Sequence, residues 1–369
     1  MSSSAFGVYV HVPFCARRCD YCAFATWTDR DGLMPDYVAA CVAEIGAAAE
    51  AGLPPATSVF FGGGTPSRLP AGRLESILAA VPLAPGAEVT VECNPEDVTA
   101  ARLERYRAAG VTRLSFGVQS MVAGVLRSLG RVHRREAVLE AVAAAGAAGF
   151  ADAYSVDLIY GAAAESLEDW RETLEGVLAL DPAPAHVSAY GLTVETGTPL
   201  ARDPSRHPDP DDQADKYLLA EELLTGAGLG WYELSNWARP GAECRHNLLY
   251  WEQGEYRGFG CAAHSHEHRP GAAARRWWNV RAPERYVDRV RSGRPVEAGG
   301  EDLDPTTVAR EAAQLSLRTR DGLPLAAMAP GADLDELVDA GLTVVTGDRI
   351  RLTAAGRLLA NEVTVRLVA

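Results

Sequence analysis

Strand-like runs that alternate with helical patterns predict an α/β fold, an open (β/α)6 partial TIM-type barrel followed by a small C-terminal winged-helix-like α+β domain. Three observations carry this. A β-then-α order repeats six times between residues 8 and 226. The strand runs are short and apolar, as expected of parallel strands covered by helices. Six units are too few for the closed eight-fold barrel, which leaves the sheet open.

In order, Val8–Val12 precedes a helix over Pro35–Ala51, Ser58–Phe61 one over Gly72–Val81, and Glu88–Cys93 one over Ala100–Ala109. Leu114–Val118 precedes a helix over Arg135–Ala148, Ser155–Ile159 one over Leu167–Leu180, and His186–Leu192 one over Asp211–Gly226. The proline- and aspartate-rich stretch 201–212 reads as an exposed loop with a solvated His207. Residues 292–305, SGRPVEAGGEDLDP, have a linker's composition. Beyond them Thr306–Leu317 and Asp333–Ala340 read as helices, LTVVTGDRIRLT as a hairpin around Gly347–Asp348, and Thr353–Val365 as a last helix. The expected division is a barrel over 1–230, an aromatic- and histidine-rich covering segment over 231–291, and the C-terminal module over 292–369.

The chemistry concentrates in VYVHVPFCARRCDYCAF, residues 8–24, where Cys15, Cys19 and Cys22 stand four and then three residues apart after a strand. Three thiolates can hold three irons of a cubane and leave the fourth open, whereas four protein cysteines leave no vacant position. Arg17 and Arg18, inside the loop, favour the thiolate form. A structural zinc site wants four ligands, usually in two pairs, and His11 is the single nearby histidine. Seven cysteines in a long chain make a poor disulfide framework.

CxxxCxxC with an aromatic, Tyr21, before the last cysteine resembles the radical S-adenosylmethionine (SAM) enzymes, and YVHVPFCARRCDYCAF resembles their coproporphyrinogen-oxidase-like branch. The resemblance implies a [4Fe-4S] cluster on Cys15, Cys19 and Cys22, SAM on the open iron, and an electron donor. It also agrees with a partial barrel and a winged-helix-like C-terminal module.

The second landmark, FFGGGTPS over 60–67, puts three glycines after a strand, so backbone groups can approach a ligand closely. Such turns are common, and this one lacks the Lys and Ser/Thr of a P-loop. One unit after the cysteines, it resembles the segment that holds the methionine moiety of SAM, with Gly63, Gly64 and Thr65 as contacts. Later strands carry polar residues near their ends: Glu92, Gln119 and Asp157, with Arg131 in a following loop. Residue by residue these could be strand-end caps. Several at equivalent places suggest a convergent pocket, in which carboxylates suit ribose hydroxyls or an ammonium and Arg suits a carboxylate. Matched to the family, Glu92, Gln119, Arg131 and Asp157 are SAM-site residues and Tyr9 flanks them.

Residues 231–271 are rich in Trp, Tyr, His and Gly, types that line a pocket for a flat aromatic ligand. RHNLLYW and GFGCAAHS resemble segments of the haem-chaperone members of the branch. His246 is then the leading axial haem ligand, with Cys261 and His264 behind it. The plainer alternative has His246 and Asn247 bonding a loop across the barrel mouth while Tyr250 and Trp251 pack the core. His266 and His268 read as exposed.

A net charge of −14 and no long basic stretch oppose nucleic-acid binding. No apolar run approaches the ~20 residues of a membrane span. The opening MSSSAFG does not support export, and unpaired cysteines suit a reducing cytoplasm. Exposed aromatic loops leave room for a homodimer. Two functions compete: a haem chaperone that passes haem to recipient apoproteins, and an oxygen-independent coproporphyrinogen III dehydrogenase that uses radical chemistry. Phe24 stands where the dehydrogenases carry a further cysteine, and the first strand begins at Val8 without their N-terminal extension. Both departures favour the chaperone.

Overall fold

The computed structural model describes residues 5–368. The six repeats form β1 (Phe6–Val12), α1 (Met34–Glu50), β2 (Ala56–Gly63), α2 (Arg73–Ala80), β3 (Leu83–Cys93), α3 (Ala100–Ala108), β4 (Arg113–Gln119), the short α4 (Ala123–Ser128), α5 (Arg135–Ala147), β5 (Tyr154–Tyr160), α6 (Leu167–Leu178), β6 (His186–Gly191) and α7 (Pro210–Gly226). Strands β1 to β6 pair in sequence order, all parallel. Local signals start the helices. Ser166 and Asp169 form a capping box on α6, and Asp209 accepts from two backbone N–H groups of α7 with Pro210 in its first turn.

The chain then finishes both sides of the same sheet. The hairpin β7 (Gly230–Glu233) and β8 (Asn236–Ala238) adds antiparallel to β6. Helix α8 (Arg245–Trp251) follows, and β9 (Glu255–Phe259) pairs parallel with β1 at the far side. The parallel run is therefore seven strands. Beyond it β10 (His264–Arg269), β11 (Ala273–Asn279) and, after α9 (Pro283–Arg291), β12 (Glu297–Leu303) continue antiparallel. The order is β12-β11-β10-β9-β1-β2-β3-β4-β5-β6-β8-β7, an open twelve-stranded sheet among the described residues. Residues 231–291 thus supply strands to the same sheet as the six repeats.

The expected linker is corrected, because its residues 297–303 form β12. Glycines made it look irregular, yet they are what the pairing requires. A Cβ on Gly300 would lie 2.9 Å from Trp277 Cβ and 3.1 Å from Arg276 O, and one on Gly299 would lie 2.9 Å from the Trp278 ring.

The C-terminal domain has its own core. It comprises α10 (Pro305–Leu317), β13 (Leu323–Pro324), α11 (Leu334–Asp339), β14 (Thr343–Thr346), β15 (Arg349–Leu352), α12 (Ala354–Leu358) and α13 (Ala360–Val368), packed around Leu317, Leu323, Leu337, Ile350, Val363 and Leu367. The single last helix expected over Thr353–Val365 is broken at Leu359. Arg318 ties the domain to β7 through Glu233 (2.9 Å), and Arg357 ties it to α7 through Glu221 (2.7 Å). No described helix is long and apolar enough to cross a membrane.

Gly300→Val is expected to destabilise the protein by about 1–3 kcal/mol through overpacking against Trp277. An unchanged melting temperature would mean that 297–303 is the linker its composition suggests.

Candidate functional site

Strands β3 to β6 alternate strictly. Val89, Val91, Leu114, Phe116, Val118, Tyr154, Val156, Leu158, Val187 and Ala189 are buried in the main core. The intervening Thr90, Glu92, Ser115, Gly117, Gln119, Ser155, Asp157, His186, Ser188 and Tyr190 line one cavity of about 1210 Å³. A period of two sends successive side chains to opposite faces, so apolar residues meet the helices and polar ones enclose a hollow.

The cysteine loop closes one end of this cavity. Trp27 N–H donates to Pro13 O (2.8 Å) and Cys15 N–H to Trp27 O (3.0 Å), which fastens the two ends of the loop together. The glycine turn supports it from β2, as Gly64 N–H donates to Val12 O (2.8 Å) and Thr65 N–H to Phe14 O (2.9 Å). Only glycine fits at 64, where a Cβ would lie 2.7 Å from Val12 O and 2.9 Å from Phe14 O. Gly63 has φ +104°, and its Cβ would meet the His11 ring at 2.3 Å.

Cys15, Cys19 and Cys22 all line the cavity. Thr65 Oγ1 donates to Cys15 Sγ (3.6 Å) and Arg131 Nη1 to Cys19 Sγ (3.7 Å). The guanidinium bonded to a thiol is therefore that of Arg131; Arg18 instead donates to Cys22 O (3.2 Å). Burial raises the thiols of Cys15 and Cys22, so metal binding there would release protons. Tyr21 packs with Val125, Leu129, Ile159, Leu192 and Leu200, holding the loop against the ends of β5 and β6.

No group of three or more His, Cys, Asp or Glu side chains among the described residues is arranged to hold one metal ion. Three free thiols facing a large hollow, without a fourth ligand, fit a multinuclear cluster with one open iron better than a closed zinc site.

Next to the cysteines, Gly63 N–H donates to Glu92 Oε2 (3.2 Å) and Ser115 Oγ to Asp157 Oδ2 (2.8 Å). Burial, then the Asp157 charge, pushes Glu92 up to about 8, and burial raises Asp157. Gln119 follows a register shift and has φ +66°, uncommon for a non-glycine residue. Arg131 Nη2 donates to Asn94 Oδ1 (2.9 Å) and Gly117 O (2.8 Å), which locks its fork beside Cys19. Tyr9 OH bonds His11 Nδ1 (3.1 Å) while His11 Nε2 donates to Ala25 O (2.9 Å); burial lowers this ring to about 4 and keeps it neutral.

The other end is aromatic. Tyr250, Trp251 and Tyr256 line it with His264, His266 and Arg276, while Glu311 and Leu315 of α10 bring the C-terminal domain to its wall. Tyr250 and Trp251 are therefore cavity residues and not core packing. His246 is fully buried behind Phe60, its ring 5.4 Å from that of Phe60. Its Nδ1 bonds Ser58 Oγ and its Nε2 bonds Tyr250 OH, both at 2.9 Å, and burial lowers it to about 3. Neither nitrogen is offered to the cavity, which counts against the expected ligand role. Cys261 is likewise buried, bonded to Tyr37 OH (3.5 Å). His266, expected to be exposed, is buried and its Nδ1 donates to Gly254 O (3.0 Å), leaving Nε2 free. His268 is exposed, as expected.

A parallel sheet with a three-cysteine loop after its first strand is the layout of the radical SAM class. The radical SAM superfamily model matches residues 9–177, and the HemN C-terminal domain model matches 303–359. Heme chaperone HemW from Mycobacterium tuberculosis is 42% identical over 100% of this chain and 96% of its own length, and HemW from Escherichia coli is 33% identical over 96% of each. The bovine "Radical S-adenosyl methionine domain-containing protein 1, mitochondrial" is 34% identical over 94% of this chain and 74% of its own. The chain belongs to the radical SAM superfamily and, within it, to the family of these HemW relatives. The fold matches that of E. coli coproporphyrinogen III oxidase HemN with a TM-score of 0.83 over 99% of this chain and 90% of that one, at 23% identity.

Two outcomes are expected. Gly64→Ala should lower the iron and sulfide recovered after anaerobic reconstitution, because the turn must leave Val12 O and Phe14 O; full recovery would show that the loop needs no such support. Glu92 titrates near 4.5 when unfolded and near 8 when folded, so its share of stability is intact below the first value and lost as pH rises through the second. Glu92→Gln should therefore flatten the decline in melting temperature of ligand-free protein between pH 5 and 8.5, and an unaltered profile would remove Glu92 as its source.

Proposed function

We propose that this protein is a haem chaperone of the HemW type, which binds haem beside a [4Fe-4S] cluster with SAM and delivers it to recipient apoproteins in a reducing, cytoplasmic setting. The observation that carries the reading is full-length relationship to proteins named heme chaperone HemW, in a chain with Phe24 in place of a further cysteine. The cavity agrees with it, being sulfur-lined at one end and aromatic at the other.

In this reading Cys15, Cys19 and Cys22 would hold the cluster, which would supply one-electron chemistry and a binding site for SAM. The turn at Gly63, Gly64 and Thr65 leaves room for the methionine moiety. Glu92 and Asp157 are a half-buried acidic pair facing the cavity whose ionised forms a cationic ligand would stabilise against desolvation, and Gln119, Arg131, Tyr9 and Tyr21 bound the same space. His11, held neutral, orients Tyr9 without adding charge.

Haem occupies the aromatic end. A ligating imidazole needs one bare nitrogen, and a bond from its other nitrogen to a carbonyl fixes the tautomer. His266 has that arrangement, with His264 beside the same cavity. His246 instead positions Tyr250 from behind.

The dehydrogenase reading requires turnover of coproporphyrinogen III and is the alternative to be tested. Anaerobic reconstitution, then haem titration and a porphyrinogen assay, should give stoichiometric haem binding without vinyl formation; catalytic vinyl formation would overturn the proposal. In the same titration His266→Ala should shift the Soret band, while His246→Ala should lower the melting temperature and leave the band in place. A shift confined to His246→Ala would return the axial role to that residue.

A further inference from the structure

A local concentration of positive charge lies against the cysteine loop of this acidic chain. Sequence alone shows no long basic stretch because the patch is assembled from two segments. Arg17 of the loop joins Arg127, Arg131, His133 and Arg134 around a groove of about 490 Å³. Arg17, Arg127 and Arg134 are exposed, as is the neighbouring Arg18. Val132 stands in the groove 60% exposed, an apolar centre within an arginine rim. Of the nearby acids, Asp20 is paired with Arg206 (2.9 Å) and Glu172 with Arg135 (3.7 Å), while Glu96 lies 3.7 Å from the neutral ring of His133 and keeps its charge. Glu136, in the first turn of α5, is exposed and is the countercharge at the edge.

The groove and the central cavity share a wall. Arg17 and Arg131 line both, and Arg131 reaches from the groove to Cys19 Sγ (3.7 Å). A molecule seated in the groove is thus one side chain away from a cluster thiol. On a chain of net charge −14, a patch of exposed arginines attracts an acidic partner against the average field, which orients its approach. Exposed arginines around an apolar residue are the composition of a protein interface.

We propose that this groove is the docking surface for an acidic one-electron carrier protein with a flavin or iron–sulfur centre. The carrier is oxidised by one electron and the cluster held by Cys15, Cys19 and Cys22 is reduced by one, with any proton lost by a flavin passing to solvent. This rests on the cluster assignment made above, and the test separates the two.

Arg127→Glu/Arg134→Glu protein, reconstituted anaerobically, is compared with the unaltered chain. Reduction by a photoreduced, acidic flavodoxin is followed through cluster absorbance at low and raised ionic strength, beside reduction by photoreduced deazariboflavin, an uncharged small molecule. Binding of oxidised flavodoxin to cluster-free protein is measured separately. The unaltered chain should bind flavodoxin in a salt-sensitive way. The variant should lose that binding and slow reduction by flavodoxin by about tenfold or more at low salt, with deazariboflavin reduction unchanged. Equal flavodoxin rates and binding in both proteins would overturn the proposal. So would loss of binding to an RNA oligonucleotide with flavodoxin reduction intact, since the patch would then serve a polyanion. Failure of deazariboflavin to reduce either protein would instead strike the cluster assignment.

Discussion

Two carboxyl groups on the inner face of neighbouring strands, Glu92 on β3 and Asp157 on β5, set the terms for this sheet. Both are half-buried against the cavity, neither is in an ion pair among the described residues, and desolvation drives Glu92 to about 8. Burying an acid without a cation costs free energy, which the fold accepts only because hydroxyls and one backbone N–H partly solvate the pair. Ser115 serves Asp157 and Gly63 N–H serves Glu92. Other inner-face atoms go without partners, among them Thr90 Oγ1, Arg113 Nη2 and His186 Nδ1. A concave face built this way is incomplete by itself and favours a polar, cationic occupant.

The same alternation explains what could and could not be read from the chain. The β/α repeat was legible because strand length and helical periodicity are local properties. The cysteine loop was legible because thiol spacing is. Glu92, Gln119 and Asp157 stand out as polar residues at strand ends, whereas Ser115, Ser155, His186 and Ser188, inside the strands, do not. The signal was present: in LSFGVQS, YSVDLIY and HVSAYG every second residue is polar or glycine for most of the run. Treating parallel strands as continuously apolar hid that half-polar face, because a strand can be buried on both sides and still line a solvated hollow.

Long-range pairing was not legible. Nothing local says that β9 crosses to the side of β1, or that 297–303 is a strand, since its glycines report the bulk of Trp277 and Trp278 across the ladder. Histidine environments are hidden from the sequence for a related reason. His246 lies in the more suggestive motif, but whether an imidazole can bind a ligand depends on which nitrogens its neighbours consume. Ser58 and Tyr250 consume both. His266 looked solvent-exposed between Ser265 and Glu267, yet β10 pairs on both sides there and buries it.

The position of the C-terminal domain follows from the same geometry. Helix α10 leaves β12 directly, so the edge that adds the antiparallel strands also delivers Glu311 and Leu315 to the aromatic end of the cavity. Arg276 of β11 donates to Glu311 (3.0 Å), an ion pair partly open to solvent and therefore weak. The sulfur-lined end is instead closed by backbone bonds and glycine contacts that leave no slack. The aromatic end is held mainly by side chains: beside the exposed Arg276–Glu311 pair, Arg318 bonds the buried Glu233 and lies over the Trp251 ring (4.9 Å). One end of the hollow is thus fixed by backbone geometry and the other by ion pairs between two domains, which respond to the charge of whatever fills the space between them.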